Sequence, residues 1–139
     1  PAEGAAFVAL KRLADAVADG DTVLGVVRGI GLSNDGRGAG LLAPSEEGQR
    51  RALAAAYESA GLRPGDVSLL ECHATGTPVG DATELRSTGA IFAGCKDVPI
   101  GSIKSNLGHL ITVVGMAGLL KVLGAFSARV RPPTLPPNC

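Results

Sequence analysis

The chain has two histidines, each framed by small and hydroxylated residues: Glu71-Cys72-His73-Ala74-Thr75-Gly76-Thr77 and Lys104-Ser105-Asn106-Leu107-Gly108-His109. Histidine is the side chain whose ordinary pKa lies closest to neutral pH. Two of them on short loops, each following an apolar run, suit proton transfer or donation to a developing oxyanion. Taken singly, the neighbouring groups have plainer readings. His73 fits a hydrogen-bonded structural histidine, Lys104 a solvated lysine and Glu84 a capping residue, while the Thr75 and Thr77 hydroxyls serve turn geometry equally well.

Strand and helix patterns alternate along the chain to hold these groups. Gly4 to Leu10 and Thr22 to Ser33 are apolar and read as strands, with Lys11 to Ala18 between them a short helix or turn closed by Asp19-Gly20. Asn34 to Gly40 reads as a connector, its glycines permitting backbone angles that other residues resist. Ser45 is placed to cap a helix with Glu46 and Glu47 in its first turn, Ala52, Leu53, Ala56, Tyr57 and Ala60 on one face, and Gly61 and Pro64 at its end. Val67 to Cys72 reads as a strand delivering His73. Asp81 and Glu84 have capping-box spacing for a helix towards Phe92, and Val98 to Lys104 reads as a strand ending before the second histidine. An apolar helix is expected from about His109 to Ala125; its N-terminal dipole, with Lys104 nearby, would then disfavour protonation of His109. Pro132 to Pro137 should be extended. This alternation implies an α/β domain with a mainly parallel or mixed sheet, whose active groups gather beyond the strand ends.

Composition narrows the function classes. A chain of 139 residues, 45% hydrophobic, suits one domain with its own core. Thirteen basic residues balance thirteen acidic ones without a long block of either sign, and aromatics are 3%, so the footprint of a nucleic-acid binder is missing. The apolar run from Leu110 to Leu120, broken by Gly115 and Gly118, is too short to cross a bilayer. Three cysteines without framework spacing fit thiols in a reducing, cytoplasmic setting. A metal site built from Cys72, His73, Cys95 and His109 lacks ligand spacing, and strand alternation separates its first two members, so no metal is expected. The Gly101 to Gly108 segment lacks the phosphate-loop pattern. A chain opening on Pro1 and not on Met reads as a processed product or a piece of a longer protein.

His73-Ala74-Thr75-Gly76-Thr77, followed by Gly80-Asp81 and Glu84, is similar to the HGTGT…GD…E segment of β-ketoacyl synthases. Gly101-Ser102-Ile103-Lys104-Ser105-Asn106-Leu107-Gly108-His109, with Gly115 and Ala117 to Lys121, resembles the family's GSxKSNxGH…G.AGLxK segment. Glu3 to Ala6, Lys11-Arg12-Leu13 and the Asn34-Asp35-Gly36 loop leading to Pro44-Ser45 resemble ketosynthase domains of type I polyketide synthases, so the resemblance covers nearly the whole chain.

The resemblance implies a thiolase-like fold, layered αβαβα and incomplete in this chain. Residues 1–139 would form part of a ketosynthase domain, without its nucleophile-bearing N-terminal part and its C-terminal end. It further implies a decarboxylative Claisen condensation in polyketide or fatty-acid biosynthesis, in which an extender loses carbon dioxide and its enolate attacks a cysteine-bound acyl thioester. By motif match His73, His109 and Lys104 are catalytic, the histidines donating to the extender's thioester carbonyl. Glu84 and Asp81 support them, Glu84 matching the position that holds the lysine by an ion pair. Thr75 and Thr77 match threonines that bind the phosphopantetheine arm. No cofactor is bound directly; substrates arrive on the phosphopantetheine of an acyl carrier protein, the implied partner, and the domain is expected to form a homodimer.

No cysteine here replaces the family's nucleophile. Cys72 reads as a small buried hydrophobe whose strand neighbour His73 faces the other way, Cys95 as a loop thiol and Cys139 as a residue at a cut end. Condensation by the chain alone is therefore not expected, and a non-condensing carrier-binding or decarboxylating relative is the alternative. Two further departures are Ala74, where the family commonly has glycine, and Leu110-Ile111-Thr112-Val113-Val114, a bulkier lining beside His109 than the usual Thr and alanines.

Overall fold

The structure is a computed structural model describing residues 2–38, 40 and 43–134. Residues 135–139, with Cys139 and the end of the proline tail, lie outside the described residues. The chain divides into two compact units. One is Arg28–Ser102; the other joins residues 2–27 to residues 103–134.

In the Arg28–Ser102 unit, β1 (Leu70–Glu71) and β2 (Ile100–Gly101) pair in parallel, Leu70 opposite Ile100 and Glu71 opposite Gly101. Flanking bonds run from Leu70 N–H to the Pro99 carbonyl at 2.9 Å and from Cys72 N–H to the Gly101 carbonyl at 2.7 Å. Parallel neighbours require a crossover, which α3 (Pro78–Ile91) provides. The sheet is thus parallel, as the alternation of elements implies, but the strands expected over 67–72 and 98–104 contract to these short pairs.

Helix α2 (Glu46–Ala60) forms as its sequence predicts. Ser45 Oγ accepts from Gly48 N–H at 3.0 Å, Glu46 and Glu47 sit in the positive first turn, and Gly61 closes the helix at φ +62°. Helix α3 starts three residues before the expected capping box. Pro78, preset for a first turn that needs no N–H donor, opens it after Thr77, so Asp81 and Glu84 lie inside the helix. The two helices are fastened by an edge-on contact of Tyr57 with Phe92, ring centroids 6.0 Å apart. Ser87 is fully buried, its hydroxyl within reach of Gln49 Oε1 and of the Glu84 carbonyl at 2.9 Å. The stretch before α2 lies against it: Ile30 N–H donates to Ser59 Oγ at 3.1 Å, and a Cβ on Gly29 or Gly31 would collide with the Ala56 or Ala52 carbonyl.

The other unit contains α1 (Leu13–Ala18), α4 (Lys104–Leu107) and α5 (Val114–Ala128). Lys11 bonds the carboxylates of Asp19 and Asp21 around the end of α1. The expected single helix from His109 is instead a turn, a loop and a later helix. Gly108, at φ +76°, ends α4, and Ile111 is also left-handed, so the apolar run cannot wind continuously. Apolarity there did not report helical phase: Ala117 and Gly118 of α5 are buried, while Ile111 and Leu120 are exposed. Lys104 correspondingly opens a helical turn and does not end a strand.

The strands expected at 4–10 and 22–33 do not form. Among the described residues the β pairing is that of β1 with β2, and Phe7, Leu10, Leu24, Val27, Ile30 and Leu32 are exposed. A β-branched, apolar composition records fitness for a pleated surface; a strand exists only where a second backbone accepts its ladder.

Candidate active site

The His73 loop leaves the C-terminal end of β1. Cys72 is buried and His73 exposed, as alternation requires. Glu84 reaches back from α3, and its two oxygens accept the N–H groups of His73 at 2.6 Å and Ala74 at 2.7 Å, short charge-assisted bonds. Asp81 Oδ2 accepts from Gly76 N–H at 3.2 Å, while its buried Oδ1 has no partner among the described residues. From beyond β2, buried Ser102 places its hydroxyl 3.4 Å from both the His73 and Ala74 carbonyls. Ala74 has φ +27°, a left-handed conformation that costs a residue with a Cβ about 1–2 kcal/mol. The Thr75 and Thr77 hydroxyls lie 3.3 Å apart and bond each other, and a Cβ on Gly80 would strike the Thr77 hydroxyl.

The His109 loop follows Gly108. Ile111 N–H donates to His109 Nδ1 at 2.9 Å, and the His109 carbonyl accepts from Ala2 N–H at 2.9 Å. A bond into Nδ1 needs the lone pair there, so this hydrogen-bond arrangement places the ring proton on Nε2 as a donor. Ile111 has φ +50°, an outlier for a β-branched side chain. His109 stands five residues before Val114, beyond the first turn where a helix dipole acts, so the expected influence of the α5 dipole on it does not apply. Leu110 and Val113 line an apolar cavity of about 390 Å³ with Leu107, Ala117 and Leu120.

Of the three non-glycine residues at positive φ among those described, Ala74 and Ile111 follow the two histidines and Arg129 closes α5. Strain of this kind persists where surrounding contacts over-determine the backbone. The structure gathers His73, Thr75, Thr77, Asp81 and Glu84 in one unit and Lys104 and His109 in the other. Ser102 was not singled out by sequence reasoning as a site residue, and the alanine at position 74 was the one sign that this turn needs help. Neither Cys72 nor Cys95 is in a disulfide, and among the described residues no three His, Cys, Asp or Glu side chains converge as a metal would need.

Residues 24–138 match the family model for the β-ketoacyl synthase C-terminal domain. The chain belongs to the β-ketoacyl synthase family. This ketosynthase segment is 45% identical to a polyunsaturated fatty acid synthase polypeptide of Thraustochytrium, over 96% of the chain and 5% of that relative. It is 42% identical to a mycocerosic acid synthase-like polyketide synthase of Mycolicibacterium smegmatis, over 96% of the chain and 6% of that relative. It therefore spans about a twentieth of such proteins. Among solved structures, the oxazolomycin ketosynthase domain of Streptomyces albus superposes with a TM-score of 0.85 at 41% identity, covering 90% of this chain and 23% of that one. The fold is accordingly the thiolase-like fold of ketosynthases, present here in part.

Proposed function

We propose that this segment supplies the histidine-bearing part of a condensing acyltransferase active site, which joins a carrier-bound malonyl-type extender to an acyl thioester. The observation that carries the reading is the Ile111 N–H bond to His109 Nδ1, which leaves Nε2–H as a donor. As the extender loses carbon dioxide, negative charge develops on its thioester oxygen, and preorganised donors lower the barrier to that step. His73 is the second donor by motif match. The enolate carbon then attacks the acyl thioester, and the cysteine thiolate departs.

That cysteine belongs to the rest of a ketosynthase domain of which residues 1–139 are a part, and the segment alone is inactive in condensation. By motif match Lys104 adds positive charge and Glu84 is the carboxylate assigned to it. Thr75 and Thr77 receive the phosphopantetheine arm, and Asp81 keeps their loop in place through Gly76. An acyl carrier protein is the partner, two domains pair, the setting is cytoplasmic, and no metal or directly bound cofactor takes part. The polyketide and fatty acid synthases among the relatives support this reading.

In the complete protein, His73→Ala and His109→Ala should each lower extender decarboxylation and chain extension on the order of 10²–10³-fold, with acyl loading of the cysteine partly retained. Wild-type rates of both steps in these variants would refute the assigned roles. A wild-type protein that decarboxylates the extender without extending it would be a non-condensing relative.

A further inference from the structure

The peptide unit between His73 and Ala74 is gripped at both edges. Its N–H, that of Ala74, goes to Glu84 Oε2 at 2.7 Å, and its carbonyl, that of His73, lies 3.4 Å from Ser102 Oγ. In a trans peptide these groups point in opposite directions, so Glu84 and Ser102 act on it from opposite sides. The same two residues reach the units before and after it: Glu84 Oε1 takes the His73 N–H at 2.6 Å, and Ser102 Oγ lies 3.4 Å from the Ala74 carbonyl. The planes on either side of the His73 Cα fix the direction of its Cβ, and hence where the imidazole starts. Both holders are themselves seated, Ser102 buried directly after β2 and Glu84 on α3 with its carbonyl against buried Ser87.

This grip opposes a specific tendency. Ala74 at φ +27° would relax towards ordinary backbone angles, rotating the peptide unit that leads back to His73. A glycine would have no such tendency. We propose that Ser102 is a positioning residue for His73, acting with Glu84 to hold a turn that alanine at position 74 makes strained. The inference rests on His73 being a catalytic donor, and it makes the importance of Ser102 conditional on the residue at position 74.

Ser102→Ala is the informative variant, because the two amides bond Glu84 and a change in their exchange on loss of the Ser102 hydroxyl reports the loop relaxing. In the full-length protein, hydrogen exchange followed by mass spectrometry on the peptide covering 71–77 should accelerate about threefold in Ser102→Ala and about tenfold in Glu84→Gln, the loss of a weak and of a charged bond respectively. The kcat for extender decarboxylation should fall in parallel while KM for the carrier-bound extender stays unchanged. Both effects of Ser102→Ala should disappear in the Ala74→Gly background. Unchanged exchange in Ser102→Ala, whatever Glu84→Gln does, or a Ser102→Ala effect of equal size in the Ala74→Gly background, overturns the clamp. Faster exchange with unchanged kcat overturns the positioning role. Absence of decarboxylation in the wild-type protein would sink the proposed function instead, and exchange would still decide whether the clamp exists.

Discussion

The His73 loop is held by side chains arriving from other elements: Glu84 and Asp81 from α3, Ser102 from beyond β2. The His109 loop is held by main chain, with Ile111 N–H on the ring and Ala2 N–H on the carbonyl. The first arrangement depends on packing and is exposed to side-chain truncation. The second depends on backbone angles, so substitutions that change those angles, or remove an N–H, should reach the histidine.

The largest expected effect tests the second half of that contrast. Ile111→Pro removes the donor to His109 Nδ1 and demands φ near −65° where the chain has +50°, so decarboxylation by the complete protein should fall on the order of 10²-fold. Ile111→Ala, which keeps the N–H, should stay within about threefold in the same steady-state assay, being the loss of an exposed side chain. Equal losses in the two variants would erase the contrast. Ser87→Ala should be next. It strips the buried hydroxyl from the α2–α3 seam and leaves Gln49 without that partner, at a cost of about 1–3 kcal/mol read as faster exchange of α3 amides. Exchange of the 108–113 segment should not follow it.

Relief of strain comes third. Ala74→Gly and Ile111→Gly should each recover up to about 1 kcal/mol of local stability, since the left-handed cost removed exceeds the cost of the greater unfolded-state entropy that glycine brings. Slower local exchange at each loop would check this, and faster exchange at either would show that strain is not what that side chain carries. The smallest effect is alkaline. Burial among apolar groups, with Cys95 nearby, raises the Tyr57 phenol above its ordinary 10.0. Folding therefore favours the protonated phenol: its contribution is fully present below pH 10.0 and is lost as pH rises through the raised value. Tyr57→Phe keeps the ring contact with Phe92 and should flatten the loss of α2–α3 protection above that pH.

Much of this was legible because it is local. Ser45, the two glutamates after it and Gly61 define α2 within one stretch of chain, and the histidine strings carry their own turn chemistry. The family likeness was legible for the same reason, being written in contiguous motifs. What could not be read was whatever required a partner. Segments 4–10 and 22–33 have strand composition but no paired backbone among the described residues, and the spacing of Asp81 and Glu84 matched a capping box although Pro78 had already started the helix. The apolar run after His109 hid the turn at Gly108 and Ile111, because hydrophobicity does not encode φ.

Gly29 and Gly31 press against the Ala56 and Ala52 carbonyls of α2, and those obstacles are main-chain atoms that no change of rotamer can move. In a saturation-mutagenesis library scored for protein abundance, both positions should reject even alanine. Their period of two would look like the buried face of a strand, yet it would mark the clearance left for a neighbouring helix.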